Sequence, residues 1–287
     1  MSVFVSTTFM PSQSPVRQAI GMLKSIGVCN IELGSIHCYE EGLISFLKQQ
    51  GSNYLMHNFF PPPQERFILN IASVDEGVRR KSLDFIRNSV DVAEEIGCRI
   101  YTIHPGFISD PEAESASLDN YDFQFASSTL SKELRQKSWD NFFASLIDIS
   151  FYVKGKKITV ALETQGSVSK KDFMLFSTLK DFFSFLNDSR ADNIGVNLNL
   201  AHLNLSSKAW GYDMFRAIDM LKPRIKAVEV SHSDSSRDSH QALAKDGWYI
   251  DLLRDDFFKT VAVIFEGRDL SLTKVEQSYQ ILNDVCG

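Results

Sequence analysis

The chain has 287 residues, of which 44% are hydrophobic and 23% are charged, and its formal net charge is −6. This composition is typical of a globular protein with a sizeable core, and the negative charge argues against a large nucleic-acid surface while leaving room for a local basic patch. Neither a secretory leader nor an apolar run of bilayer length is visible, so we expect a cytoplasmic protein without membrane contact. The four cysteines are scattered, and we expect free thiols.

Short apolar or β-branched runs alternate with helical patterns along the chain. The predicted strands are Val3–Phe9, Asn30–Gly34, Asn53–Asn58, Arg99–His104, Ile158–Glu163, Ile194–Leu200, Ala227–His232 and Val261–Glu266. The predicted helices are Pro15–Ile26, Glu41–Gln50, Val74–Ile96, Leu134–Val153, Phe173–Leu186, Asp213–Leu221, Tyr249–Phe258 and Leu272–Val285. Such alternation requires parallel strands with right-handed crossovers, and eight units favour one closed (β/α)8 TIM barrel over residues 1–287. An open doubly wound sheet is the alternative.

Polar side chains stand at the ends of the predicted strands, where a barrel of this type has its catalytic mouth. They are Glu32, His57, His104, Glu163, Asn199 with His202, Glu229 with His232, and Glu266, followed by the loop residues Asp238 and His240. One histidine at a strand end is more often a hydrogen-bonded structural residue. Several carboxylates buried on one rim are costly unless a cation neutralises them, and these residue types supply metal ligands. The pattern predicts a divalent-metal site.

Other residues are candidates for holding a substrate. Prolines stiffen the loop after strand three, where the ring of Phe60 could stack on the ring of a bound substrate. Trp210 follows strand six, and Lys245 and Arg268 could anchor a phosphate or carboxylate. Each also has a plainer interpretation as a structural or surface residue. No dinucleotide fingerprint and no P-loop follows a strand, so we expect no nucleotide cofactor.

The order of these residues resembles the xylose isomerase-like barrels, which include endonuclease IV and many sugar isomerases and epimerases. The matching pieces are His57-Asn58, Leu69-Asn70-Ile71-Ala72-Ser73, Ile103-His104-Pro105-Gly106, Leu162-Glu163-Thr164, Gly195-Val196-Asn197-Leu198-Asn199-Leu200-Ala201-His202, Asp238-Ser239-His240 and Phe265-Glu266. The resemblance covers nearly the whole chain. It implies a divalent metal (Mn, Mg or Zn), and it suggests a homo-oligomer because barrels of this superfamily often form dimers or tetramers.

In the endonuclease IV branch these positions hold three zinc ions. Carried over residue by residue, the resemblance implies one metal at His57, His104 and Glu163 and a second at His202, Asp238 and His240. A third would lie among Glu163, Asn199, Glu229 and Glu266, which we call the central quartet and which also matches the single-metal site of sugar epimerases.

The chain departs from the family pattern twice within the central quartet. Asn199 stands where Asp is usual, and Glu229 stands where His is usual. Three carboxylates and one amide keep the formal charge of −3 that Glu, Asp, His and Glu would have. We therefore expect an all-oxygen site that prefers Mn or Mg to Zn. The competing interpretation is that the two changes abolish this metal.

The resemblance favours an isomerase or epimerase of a sugar or sugar phosphate, in which Glu163 and Glu266 exchange protons with the substrate, and Glu32 and His232 line it. The first alternative is a zinc-dependent endonuclease for abasic DNA, but the loops after strands one and two carry none of the basic residues that gripping a duplex requires. The second alternative is a ligand-binding barrel with a degenerate catalytic site.

The long segment Phe107–Ser131 is expected on the catalytic side as a lid or a partner contact.

Overall fold

The computed structural model describes residues 3–112, 124–125, 130–167, 173–233 and 236–286. Its strands are β1 Val3–Ser6, β2 Asn30–Leu33, β3 Asn53–His57, β4 Ile100–Ile103, β5 Thr159–Glu163, β6 Gly195–Asn199, β7 Ile225–Val230 and β8 Ala262–Phe265. All neighbours pair in parallel and in sequence order, and β8 returns to pair with β1 through Val263 opposite Val3. The predicted closed barrel is confirmed, and the open sheet is wrong.

Helices cover the outside of the barrel. In the described part of the chain they are α1 Val16–Ser25, α2 Leu43–Gln49, α3 Glu76–Glu95, α4 Lys132–Tyr152, α5 Leu179–Leu186, α6 Leu200–Trp210, α7 Met214–Leu221, α8 Tyr249–Leu253 and α9 Leu272–Cys286. Polar caps begin several of them: Asp75 and Ser131 accept from the third residue of α3 and α4. None of the described helices combines the length and the apolar character that crossing a bilayer requires.

Three boundaries differ from the sequence-based prediction by three residues or more. The first strand ends at Ser6, whose hydroxyl caps a short 3-10 turn over Thr7–Phe9. Helix α5 begins at Leu179 because Thr178 and Asp181 form a reciprocal capping box there. The predicted helix Tyr249–Phe258 ends at Leu253 and is followed by a separate 3-10 turn, Phe258–Thr260.

Helix α6 is an α-helix of the described residues that the sequence pattern did not reveal. It follows β6 directly, and its buried positions are Leu200, Ala201, His202, Leu203, Leu205, Ser206 and Ser207. A helix that is covered on most sides lacks the apolar stripe from which helices are usually predicted. The start of α6 at the end of β6 bears directly on the site, because Asn199 is at once the last strand residue and the helix N-cap.

A small apolar layer inside the barrel lies beneath the mouth. It contains Phe4, Leu55, Ala227 and Ile264, separate from the main core between strands and helices. Alternate residues of a strand point to the same face, so the residue two positions later also points into the barrel. On these strands that residue is Ser6, His57, Glu229 or Glu266. The apolar layer therefore supports a polar layer at the C-terminal mouth.

The long segment after β4 is described only in part. Phe107 pairs with Met174, and Pro111 pairs with Phe125, in isolated antiparallel bridges. Residues 113–123 and 126–129 lie outside the described residues, so the expected lid or partner contact stays a prediction. The four cysteines are free, as predicted.

The turn after His104 requires a glycine. Gly106 has a φ of +93°, in the region that favours glycine, and a Cβ at this position would overlap Oδ1 of Asn70. That oxygen accepts hydrogen bonds from the backbone nitrogens of Ala72 and Phe107. Asn70 therefore ties the loop after β3 to the loop after β4.

We predict that Gly106→Ala lowers the free energy of unfolding by about 2–4 kcal/mol, because it strains the backbone and displaces Asn70 from two buried amides. Gly21→Ala in α1 is the matched control, since nothing lies within 4 Å of its added Cβ, and it should be neutral or stabilise by up to about 1 kcal/mol. Denaturant unfolding measures both variants. Equal stability of the two would contradict the role of this turn.

Candidate metal centre at the barrel mouth

Glu163, the last residue of β5, is the carboxylate on which the site is centred. Its Oε2 lies 2.8 Å from Nε2 of His57 and 2.8 Å from Nε2 of His104. Its Oε1 lies 2.9 Å from Nδ1 of His202, and the side chain is 1% exposed. Three imidazoles thus converge on one buried carboxylate. They come from the end of β3, the turn after β4 and the first turn of α6.

The first candidate metal group consists of His57, His104 and Glu163. One ligand atom from each lies within 4.8 Å of the others. The backbone nitrogen of His104 donates to Oδ1 of Asn58, which positions the turn after β4. The side chain of His104 is 29% exposed while that of His57 is 4% exposed, so the group opens toward solvent on one side. Three ligands with an open position are typical of catalytic metal sites.

The second candidate group consists of His202, Asp238 and His240, whose ligand atoms also lie within 4.8 Å of one another. Oδ2 of Asp238 is 2.7 Å from Nε2 of His240, and Oδ1 is 3.4 Å from Nε2 of His202. His240 has a φ of 41°, in the left-handed region that non-glycine residues adopt at a cost. All three side chains are buried, so this group is more enclosed than the first.

Asn199 lies at the centre of the quartet, with its oxygen turned away from the other members. Oδ1 accepts from the backbone nitrogen of His202 at 3.1 Å, which caps α6. Nδ2 therefore points into the mouth, 3.1 Å from Oε1 of Glu163, 2.9 Å from Oε2 of Glu229 and 3.5 Å from Oε2 of Glu266. An amide nitrogen is a hydrogen-bond donor and does not ligate a metal. The predicted use of Asn199 as an oxygen ligand does not fit this geometry.

Glu229 and Glu32 share the buried floor of the mouth. Burial, together with the charges of Glu163 and Glu32, raises the pKa of Glu229 well above its usual range. Burial and the charge of Glu266 raise the pKa of Glu32 to about 8. The carboxyl of Glu32 therefore holds a proton at neutral pH that an isolated glutamate would release.

Two of the imidazoles around Glu163 supply positive charge, whereas burial lowers the pKa of the third, His104. Burial alone would lower the pKa of His57, but Glu229 and Glu163 outweigh it and raise the pKa to about 9. Asp238 and Glu163 likewise raise the pKa of His202 well above its usual range. Conversely, the pKa of Glu163 lies well below its usual range, because its imidazole partners outweigh burial. Protonated histidines thus neutralise the carboxylates that a metal would otherwise neutralise.

Glu266 follows β8 and belongs to the same network. Its Oε2 is 3.1 Å from Nδ1 of His240, and its Oε1 is 3.9 Å from Nη2 of Arg268. Burial would raise its pKa, but His240 and Arg268 lower it to about 2. Glu266 is therefore ionised at neutral pH. Arg268 also lies 3.8 Å from Asp238 and is 21% exposed, between the site and solvent.

The remaining predicted substrate residues lie farther out. Nδ1 of His232 is 3.4 Å from the hydroxyl of Tyr249. Phe60 is 0% exposed, because its ring packs in the hydrophobic core and offers no surface to a sugar. Trp210 ends α6 beneath the guanidinium of Arg135, and Lys245 is exposed. In the hydrogen bonds and ion pairs of the described residues, none of Phe60, Trp210 and Lys245 joins the network around Glu163.

Two residues of this network, Asn197 and Thr102, were not among the predicted site residues. Nδ2 of Asn197 donates to Oε1 of Glu229 at 2.6 Å and to the hydroxyl of Thr102 at 3.0 Å. Asn197 stands two positions before Asn199, so strand alternation places both on one face. That alternation was the signal that could have identified it.

A family model described as the xylose isomerase-like TIM barrel matches residues 32–276, which is most of the chain. The chain belongs to this family. The similarity confirms the resemblance seen in the sequence and agrees with the closed eight-stranded barrel.

Relatives of this xylose isomerase-like chain carry different names. It is 23% identical over 261 residues to the apurinic-apyrimidinic endonuclease 1 of Plasmodium falciparum, covering 83% of this chain and 38% of that protein. The chain spans 38% to 49% of the length of the curated relatives that it matches. Among solved structures, a D-tagatose 3-epimerase-like protein has a TM-score of 0.75 at 18% identity, covering 99% and 97% of the two chains.

A second similar structure is that of an L-ribulose 3-epimerase, with a TM-score of 0.70 at 13% identity and coverage of 99% and 94%. At such identities the likeness shows the fold alone. The reaction has to be argued from the chemistry of the site.

We predict that the affinity of the first group for Zn²⁺ rises with pH between 6.5 and 8.5. The pKa of His57 is raised to about 9, so the imidazole is protonated in this range and a metal must displace that proton. The expected slope is about tenfold per pH unit for each proton displaced. Competition with a chromophoric chelator measures it.

His57→Gln is the comparison variant, and its weaker binding should depend less steeply on pH because this proton is gone. An affinity of the wild-type chain that stays constant over two pH units would contradict the arrangement.

Proposed function

We propose that this barrel is a divalent-metal-dependent enzyme that isomerises or epimerises a small carbohydrate. The observation that carries the proposal is the three-ligand group of His57, His104 and Glu163, which opens toward solvent beside the ionised Glu266. When bound there, a divalent metal supplies a Lewis acid that polarises a substrate oxygen and acidifies the adjacent C–H.

The chain's own residues would then move the proton. Glu163 and Glu266 come from β5 and β8, and both lie within 3.5 Å of the same amide nitrogen of Asn199. Glu266 is ionised, which is the form that accepts a proton. Arg268, at the partly exposed edge, would hold a phosphate or carboxylate of the substrate.

The loops around the mouth favour a small substrate over a duplex. Arg17 forms an ion pair with Glu40 at 3.3 Å and donates to the backbone oxygen of Glu41. Arg66 donates to the backbone oxygen of His37 at 3.2 Å. Both guanidinium groups are used within the protein and not in a surface that tracks phosphates. Similar structures include proteins named as 3-epimerases of tagatose type and of ribulose.

Phosphoester hydrolysis is the second candidate. The observation in its favour is that both candidate groups contain two histidines and one carboxylate, and Glu163 contacts histidines of both. Paired metal sites of this kind clamp the attacking and leaving oxygens of a phosphoester. The relative from Plasmodium falciparum is named as an endonuclease of apurinic-apyrimidinic sites.

We predict that the metal-reconstituted chain, in D₂O, introduces deuterium at the carbon next to the carbonyl of a ketose or a ketose phosphate, measured by proton NMR. Glu266→Gln should slow this exchange at least about 100-fold, because it removes the proton acceptor. Glu65→Gln, an exposed carboxylate on the loop after β3, is the matched control and should leave the rate unchanged.

The same preparation is offered a phosphodiester and an abasic-site duplex. Hydrolysis of either one without exchange would refute the isomerase proposal in favour of the second candidate. A chain that binds metal but performs neither reaction would indicate the ligand-binding barrel.

A further inference from the structure

The orientation of the Asn199 amide is determined from both ends. Its Oδ1 faces the backbone N–H of His202, and its Nδ2 faces three carboxylates. Exchanging the two atoms would set a donor against the N–H that begins α6 and an acceptor against the carboxylate oxygens. Both new contacts would be repulsive. The helix cap therefore fixes which end of the amide enters the mouth.

The amide nitrogen occupies the point at which the quartet converges. It lies between 2.9 Å and 3.5 Å from oxygens of Glu163, Glu229 and Glu266. A zinc ion needs carboxylate oxygens at about 2.0–2.2 Å, so a cation among the same oxygens would overlap this N–H₂ group. The amide donates hydrogen bonds where a third metal would accept lone pairs.

The second departure from the family pattern strengthens the first. Oε2 of Glu229 accepts from Asn199, and Oε1 accepts from Nδ2 of Asn197 at 2.6 Å. Asn197 is held in turn by the hydroxyl of Thr102 on β4. Both oxygens of Glu229 are thus satisfied by amides in the dry floor of the barrel. Two asparagines and one glutamate form a network that needs no ion.

We propose that the mouth holds two metal ions and that the amide of Asn199 takes the place of a third. Glu229 and Glu266 then serve as hydrogen-bond acceptors, and the ions are confined to His57–His104–Glu163 and His202–Asp238–His240. The inference rests on the metal dependence in the proposed function but not on the reaction. Such a mouth has no all-oxygen central site for Mn or Mg. The two changes in the quartet abolish that metal, because the amide N–H₂ group occupies its place.

The test is a metal count per chain, by elemental analysis and native mass spectrometry, after dialysis against buffered Zn²⁺ and separately against Mn²⁺. The wild-type chain should retain two ions. Asn199→Asp combined with Glu229→His should retain three, because it restores ligands and removes the amide. Asn187→Asp combined with Glu65→His makes the same chemical changes at exposed positions, and it should retain two.

Each result decides the inference. A wild-type count other than two overturns it, and a count of zero overturns the proposed metal dependence as well. A double variant that is folded by circular dichroism yet retains only two ions shows that the amide does not exclude the third. If that variant does not fold, Asn199→Asp alone is counted in its place. A fourth carboxylate in the quartet should attract a third ion, and Mn²⁺ more readily than Zn²⁺. Substrate is absent throughout, so a failed activity assay does not affect the count.

Discussion

The buried carboxylate of Glu163 and the three imidazoles around it are the interaction on which the site depends. An ionised carboxylate in a dry barrel is costly unless opposite charge and hydrogen bonds accompany it. His57 from β3 and His202 from α6 supply both, and His104 in the turn after β4 contacts the same carboxylate. The ends of these elements must therefore be held in register around one side chain. Asn58, Asn70 and Gly106 contribute by tying the turns together.

The barrel brings these residues together through the alternation of its strands. The apolar layer of Phe4, Leu55, Ala227 and Ile264 excludes water below, so charges above it interact strongly. In this setting a cation, a protonated imidazole and an amide N–H are interchangeable ways of satisfying a carboxylate oxygen. Imidazoles surround Glu163, and amides are concentrated around Glu229. Which partner occupies a position decides which reaction the mouth supports.

Much of the barrel and of its site could be predicted from the sequence, because buried parallel strands appear as short apolar runs and their ends carry the polar residues. The strand-end residues from Glu32 to Glu266 were found in that way. The direction of the Asn199 amide was not predictable, because it depends on α6, and α6 lacks an apolar stripe. Without that helix, Asn199 looked like a free oxygen ligand. Phe60 was proposed from its residue type and its place in the loop after strand three, and the packing that buries its ring is a tertiary effect.

The measurement that tests this account most directly is anomalous X-ray diffraction from crystals grown with zinc, recorded on both sides of the zinc edge. The account predicts one peak about 2.0–2.3 Å from ligand atoms of His57, His104 and Glu163, and another bonded to His202, Asp238 and His240. The region between Glu229 and the Asn199 amide should show none. A peak bonded to Glu229, or a mouth without any peak, would contradict the account.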